Sequence, residues 1–243
     1  MPRALVTGAG RGIGRQIARL FADKGYEVVA LDVDIGTRDN KDEGDGALER
    51  VSYDLRNVGG ITDLVRSLGE LHVLVNNAGT LRCPDSASSL SAGLGLGFEP
   101  SDVSDILATN LLAPVALAEA VAPQMVQRGG GRIVNVGSIS AFTGHPDLWY
   151  GASKAALLNA TKSLASLLGA QGVIVNAVVP GPTQTTMYEE LPQSRKDTVM
   201  RSVHSGRPAS PAEVAAAVCW LGTEAPAYIN GATIDVCDGA YPR

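Results

Sequence analysis

Short apolar runs recur along this chain, and between them lie stretches whose hydrophobic residues fall at helical spacing. The runs predict strands at 3–7, 27–32, 50–53, 72–76, 132–137, 173–179 and 232–236. The intervening periodicity predicts helices at 13–24, 59–68, 102–128, 150–169, 188–200 and 211–222. Strands alternating with helices form a parallel sheet covered on both faces, so the expected fold class is α/β: a doubly wound sheet of about seven mostly parallel strands. No repeat or linker interrupts the alternation, and residues 1–243 are expected to form a single domain. Two stretches depart from the rhythm. Residues 34–48 are too polar and glycine-rich for a crossover helix and are expected to form a loop; the Ser/Gly-rich residues 81–100 read as an insertion after the fourth strand.

The first strand runs directly into Gly8-Ala9-Gly10-Arg11-Gly12-Ile13-Gly14, and a helical pattern follows. Glycines between a strand and a helix let the backbone turn tightly and bring a pyrophosphate against the amides of the helix N-terminus, where the dipole favours negative charge. The spacing is Gly8-x-x-x-Gly12-x-Gly14, and Gly10 stands outside it. The second strand ends in Asp32, placed to accept hydrogen bonds from adenosine ribose hydroxyls and to repel a 2′-phosphate. That favours NAD over NADP. Arg11 pulls the other way, since a guanidinium in the glycine turn can reach a 2′-phosphate; it can equally be a solvent-exposed residue at a helix start.

Tyr150 and Lys154 lie four residues apart in a predicted helix and so share a face. A free phenol titrates near 10, and a neighbouring cation pulls that value down; reaching ~7 takes roughly 4 kcal/mol. The pair is therefore a candidate proton donor and acceptor. Ser138, just after the fifth strand, is a candidate hydrogen-bond donor to a reacting oxygen, or else a residue that caps the chain's turn.

Composition removes other classes. Hydrophobic residues make up 45% and charged ones 19%, which argues against disorder, and a net charge of −5 without a basic stripe makes nucleic acid an unsuitable partner. No apolar run approaches the ~20 residues of a membrane span, and a strand starting at residue 3 is expected to leave no room for a signal segment. Cys83, Cys219 and Cys237 and the three histidines are scattered, so no metal site is expected and a cytoplasmic, reduced setting is.

Asn76-Asn77-Ala78-Gly79 after the fourth strand, Asn110 in a long helix, Ser138 with Tyr150-x-x-x-Lys154, and Pro180-Gly181 after the sixth strand complete a series. With its glycine turn, the chain resembles the short-chain dehydrogenase/reductase family from end to end. The resemblance implies a Rossmann fold and a hydride exchange between nicotinamide and a secondary alcohol or ketone. It further implies catalytic roles for Asn110, Ser138, Tyr150 and Lys154: Tyr150 exchanging the proton, Lys154 lowering its pKa and holding ribose hydroxyls, Ser138 binding the substrate oxygen, Asn110 anchoring a relay water. By the same resemblance, Gly8, Arg11, Gly12, Ile13, Gly14 and Asp32 hold the dinucleotide, and Asp54 and Leu55 meet the adenine. Asn76, Ala78 and Gly79 line its ribose; Pro180, Gly181, Thr183 and Thr185 approach the nicotinamide end. Asn110, Asp54 and Thr185 also have ordinary structural readings, as a buried helix residue, a turn acid and a loop hydroxyl. The break after Asp32 and the insertion are similar to NAD-dependent 3-hydroxyacyl-coenzyme A and hydroxysteroid dehydrogenases. An NADPH-dependent 3-oxoacyl carrier-protein reductase is the alternative, and a non-catalytic dinucleotide-binding regulatory protein the alternative of another class. A sugar-nucleotide epimerase or dehydratase fits less well, because only about 60 residues follow Pro180. The family's usual contact faces imply a homotetramer.

Overall fold

The computed structural model describes residues 1–35, 48–81 and 98–241. Its strands are β1 (Arg3–Thr7), β2 (Glu27–Asp32), β3 (Leu48–Ser52), β4 (Val73–Asn76), β5 (Gly131–Val136), β6 (Val173–Pro180) and β7 (Thr233–Val236). They form one sheet in the order β3-β2-β1-β4-β5-β6-β7, every neighbouring pair parallel. The helices are α1 (Gly12–Asp23), α2 (Ile61–Leu68), α3 (Pro100–Leu107), α4 (Ala113–Gln127), α5 (Leu148–Leu168), α6 (Thr186–Glu189), α7 (Gln193–Met200) and α8 (Pro211–Thr223).

Side-chain alternation along the strands sorts the core into two layers. On β1, Ala4 and Val6 pack with Ile17 and Phe21 of α1 and with Val214 and Val218 of α8. Leu5 points the other way, towards Val65 of α2, Leu117 and Val121 of α4 and Ala165 of α5. Strand order reverses at β1, which stands between β2 and β4. In doubly wound sheets a ligand crevice opens at such a reversal, at the carboxyl ends of the strands.

The expected elements are all present, with two helices broken. The stretch expected as one helix over 102–128 is α3, a π turn at Ala108–Leu112, and α4. Pro114 explains the interruption: it has no N–H to give the carbonyl of Asn110 four residues back, and the wider π turn absorbs the missing bond. The stretch expected over 188–200 is split into α6 and α7 by Pro192, whose extended backbone (ψ 146°) starts the second helix. The continuous helical stretch Pro100–Gln127, 28 residues, has the length and apolarity of a membrane span, contrary to the reading of apolar runs. Its hydrophobicity serves the core: Leu117, Val121 and Met125 are fully buried against the sheet. Most of the loop expected over 34–48 and of the insertion expected over 81–100 lies outside the described residues.

Candidate active site

Every strand from β1 to β6 delivers part of one cleft of about 990 Å³ at the carboxyl edge of the sheet. Its glycine turn is shaped by contact. Gly8 and Gly12 hold positive φ (66° and 56°), and a Cβ on Gly14 would stand 2.0 Å from the Gly8 carbonyl. Gly14 therefore lets α1 dock against the end of β1, and no other residue fits. Gly10, outside the spacing that the sequence suggested, also belongs here. Its N–H donates to Asp32 Oδ2 at 2.9 Å, and a Cβ on it would strike the Asp34 carbonyl at 2.6 Å. Asp32 Oδ1 accepts from the Asp34 N–H at 3.1 Å, so the carboxylate is fixed at the rim of the cleft. Arg11 is exposed on the same rim. Free amides at a helix N-terminus, a cradle that any Cβ would fill and a fixed carboxylate together fit a dinucleotide.

Asp54 and Leu55 line the adenosine end as expected, but the Asp54 carboxylate is engaged by Arg56, whose Nη2 donates to it at 2.6 Å. Arg56 also donates to Asp105 of α3 at 2.9 Å, and its guanidinium holds Asp54 below the usual carboxylate range. Ala78 and Gly79 line the cleft; Asn76 does not. Asn76 closes β4 facing inward, 2% exposed, and its amide donates to Asn135 Oδ1 (2.9 Å) and the Pro114 carbonyl (3.2 Å). The alternation of β4 explains this correction, because the next residue, Asn77, takes the cleft side. Its amide donates to the carbonyls of Thr7 (3.0 Å) and Gly8 (3.2 Å), fastening β4 to the glycine turn.

Ser138, Tyr150 and Lys154 all line the cleft floor. Asp147, fully buried, caps α5 by accepting the Tyr150 N–H at 2.9 Å and thereby sets where the helix begins. Lys154 is 3% exposed and donates to the Val136 carbonyl at 2.8 Å; its Nζ lies 5.9 Å from the centre of the Tyr150 ring. Burial brings the Lys154 ammonium down to about 8. The expected depression of the tyrosine pKa is not found. Burial pushes the Tyr150 phenol above its ordinary value, the Ser138 hydroxyl draws it back in part, and the Asp147 carboxylate raises it further. Desolvation of the phenolate outweighs a cation whose hydrogen bond goes to a carbonyl.

Asn110 sits behind this floor. Its Oδ1 accepts from the Thr80 N–H and its amide donates to the Thr80 carbonyl, both at 2.8 Å, and to Ser153 Oγ at 3.1 Å. A Cβ on Gly79 would stand 3.3 Å from Lys154 Nζ and 3.5 Å from Asn110 Oδ1, so the glycine lets those two groups share one space. Pro180, Gly181, Thr183 and Thr185 follow β6 into the cleft; among them Pro180 ends the strand, and Thr183 Oγ1 donates to the Gly181 carbonyl at 3.0 Å. Among the described residues no cluster of His, Cys, Asp and Glu is suited to a metal ion.

Sequence reasoning missed Gly10, Asn77, Arg56 and Asp147. Asp147 left a local signal, an acid at the position that precedes a helix, and Arg56 another, an acid two residues before it; Gly10 and Asn77 depend on partners 22 to 70 residues away.

Comparison with known proteins agrees with this architecture. A family model described as enoyl-(acyl carrier protein) reductase matches residues 8–241. The chain belongs to the short-chain dehydrogenase/reductase family, oxidoreductases that move hydride between a nicotinamide dinucleotide and a carbon bearing a hydroxyl or carbonyl oxygen. It is similar to the 3-oxoacyl-[acyl-carrier-protein] reductases FabG of Vibrio cholerae and Escherichia coli, with 34% identity to each, covering 98% of this chain and 96% of the relative. Among solved structures it is similar to a putative NAD(P)-dependent gluconate 5-dehydrogenase from Beutenbergia cavernae with bound NADP (TM-score 0.87, 30% identity, 98% and 96% covered). It is also similar to a putative betaketoacyl-ACP reductase (TM-score 0.81, 34% identity, 99% and 98% covered).

Proposed function

We propose that the chain reduces the ketone of a 3-oxoacyl thioester, with Tyr150 as proton donor. The observation that carries this reading is the convergence of Ser138, Tyr150 and Lys154 on the floor of one cleft, with Lys154 Nζ 5.9 Å from the centre of the Tyr150 ring. Bound dinucleotide would supply the hydride. Ser138 would then donate to the substrate oxygen as charge develops there, and Tyr150 would release its proton to the same atom. Lys154, a cation below about 8, would hold ribose hydroxyls and steady the phenolate that remains. Asn110 would fix the Thr80 segment and the space beside Lys154 through which a proton returns. The names of the curated relatives favour this substrate over the 3-hydroxyacyl-coenzyme A or steroid oxidation expected from the loop pattern.

The glycine turn, Asp54, Leu55, Ala78, Gly79, Pro180, Gly181, Thr183 and Thr185 would hold the dinucleotide. Asp32 favours NAD(H) and Arg11 NADP(H); two structural neighbours carry NADP. We further propose a cytoplasmic homotetramer. The decisive experiment follows NADPH and NADH absorbance with acetoacetyl-coenzyme A for the wild type and Tyr150→Phe. Turnover by the wild type that survives in the variant within a few-fold would remove Tyr150 from the role.

A further inference from the structure

Past Tyr150 the cleft opens between residues 143–146 and the segment carrying α6 and α7. This half is lined by apolar groups (Leu191, Val199), hydroxyls (Thr198, Ser202), His145 and one guanidinium, Arg195. No carboxylate lines it among the described residues. Arg195 is partly buried on α7. Its side chain has no hydrogen bond or ion pair among the described residues, in contrast to Arg56 at the adenosine end, which two carboxylates hold. The nearby acids are turned elsewhere: Asp197 accepts from Gln193 Nε2 at 2.7 Å, and Glu189 and Glu190 do not line the cleft.

A guanidinium that is half-covered in a cleft and holds no counter-charge leaves its forked donors free to match an oxyanion. The position is close to the chemistry. The His145 ring lies 5.3 Å from the Tyr150 ring, and the His145 imidazole, lowered chiefly by burial, is lowered further by the Arg195 charge. We propose that Arg195 anchors the substrate: its guanidinium binds an oxyanion carried on the substrate, a carboxylate or a phosphate, while the reacting oxygen rests at Tyr150 and Ser138. The inference rests on the reading of Tyr150 as proton donor and adds the charge of the substrate to it. Arg195 is a specificity residue and takes no part in proton transfer.

The test compares the wild type, Arg195→Leu and Arg195→Lys on two charged and uncharged pairs: acetoacetyl-coenzyme A against acetoacetyl-N-acetylcysteamine, and 5-ketogluconate against fructose. For a charged substrate that the wild type turns over, Arg195→Leu is expected to raise KM about tenfold or more with kcat within about threefold, since hydrogen bonds to charged groups are of that strength. The uncharged partner should be unaffected and Arg195→Lys should recover part of the loss. An effect confined to the ketogluconate pair identifies a carboxylate; one confined to the thioester pair identifies a phosphate. Equal effects on charged and uncharged partners, or none, would overturn the assignment. If the wild type turns over none of these compounds, the catalytic reading fails by itself. Arg195 is then judged by thermal shift with each anion: stabilisation in the wild type that is missing in Arg195→Leu supports it, and the same response in both, including none, refutes it.

Discussion

At the scale of single residues, two groups on the cleft floor have opposite protonation habits, and both can be tested. The Tyr150 phenol, protonated at neutral pH at its ordinary value of about 10, is raised further by burial. Removing its hydroxyl in Tyr150→Phe is expected to lower ketone reduction by about 10²–10⁴-fold, the usual range for a lost general acid, while dinucleotide binding, followed by NADPH fluorescence, stays within a few-fold. Lys154 sets the pH limit. Its ammonium titrates at about 8 in the folded protein, against about 10.5 when exposed. The cation is complete below that value and lost as pH rises through it, so kcat/KM for reduction should fall above about pH 8. The same shift has a cost in stability. Between about 8 and 10.5 the unfolded chain binds the extra proton, so the penalty for burying the charge is full below pH 8 and disappears towards 10.5. Lys154→Met should therefore unfold at a higher temperature than the wild type at pH 7, with the gap narrowing by pH 10; an unchanged gap would show that Lys154 is not the titrating group. At the adenosine rim, Asp32→Ala should raise kcat/KM for NADPH relative to NADH and Arg11→Ala should lower it, measured as a ratio of initial rates.

At the scale of elements, what was legible in the sequence is what repeats locally. Among the described residues, apolar runs and helical spacing located the strands and the longer helices because most of these elements bury one face in a layered core, and the two broken helices failed at prolines inside an otherwise periodic pattern. Tyr150, Lys154 and Ser138 were legible because short spacings on one helix, or at one strand end, fix proximity. Asn76 was misplaced because a single step along β4 exchanges core for cleft, and the pattern Asn76-Asn77 carries no sign of which step is which. The tyrosine pKa was misjudged because charge is visible in a sequence and desolvation is not. Asp147 shows how an element's start becomes chemistry: its carboxylate holds the first turn of α5 and so the bearing of Tyr150. Asp147→Ala should lower stability by about 1–2 kcal/mol, as lost caps do, and reduce kcat more than it raises KM. Asp147→Asn keeps an oxygen acceptor and should restore both, in urea melts and steady-state kinetics respectively.

At the scale of the whole molecule, the two layers of the sheet each leave apolar surface uncovered. On the layer of α4 and α5, Leu112 and Leu167 are 51% and 69% exposed; on the layer of α8, Trp220 is 37% exposed and Tyr228, in the turn before β7, is fully exposed. Large apolar groups on opposite layers cannot be covered by one symmetric contact, since a two-fold interface pairs a patch with its own copy. Two such interfaces would generate the proposed tetramer. Sedimentation equilibrium should give about four times the 25.1 kDa chain mass. Leu167→Glu places a charge in only one of the two contacts and should halve the assembled mass, while Tyr228→Glu should halve it by the other route and the double variant should sediment as single chains. The glycine turn, Asp32 and Lys154 line the cleft from a single chain, so each half-sized variant should keep its dinucleotide affinity. A wild type that sediments as a monomer at micromolar concentration would mean that these side chains face water by themselves.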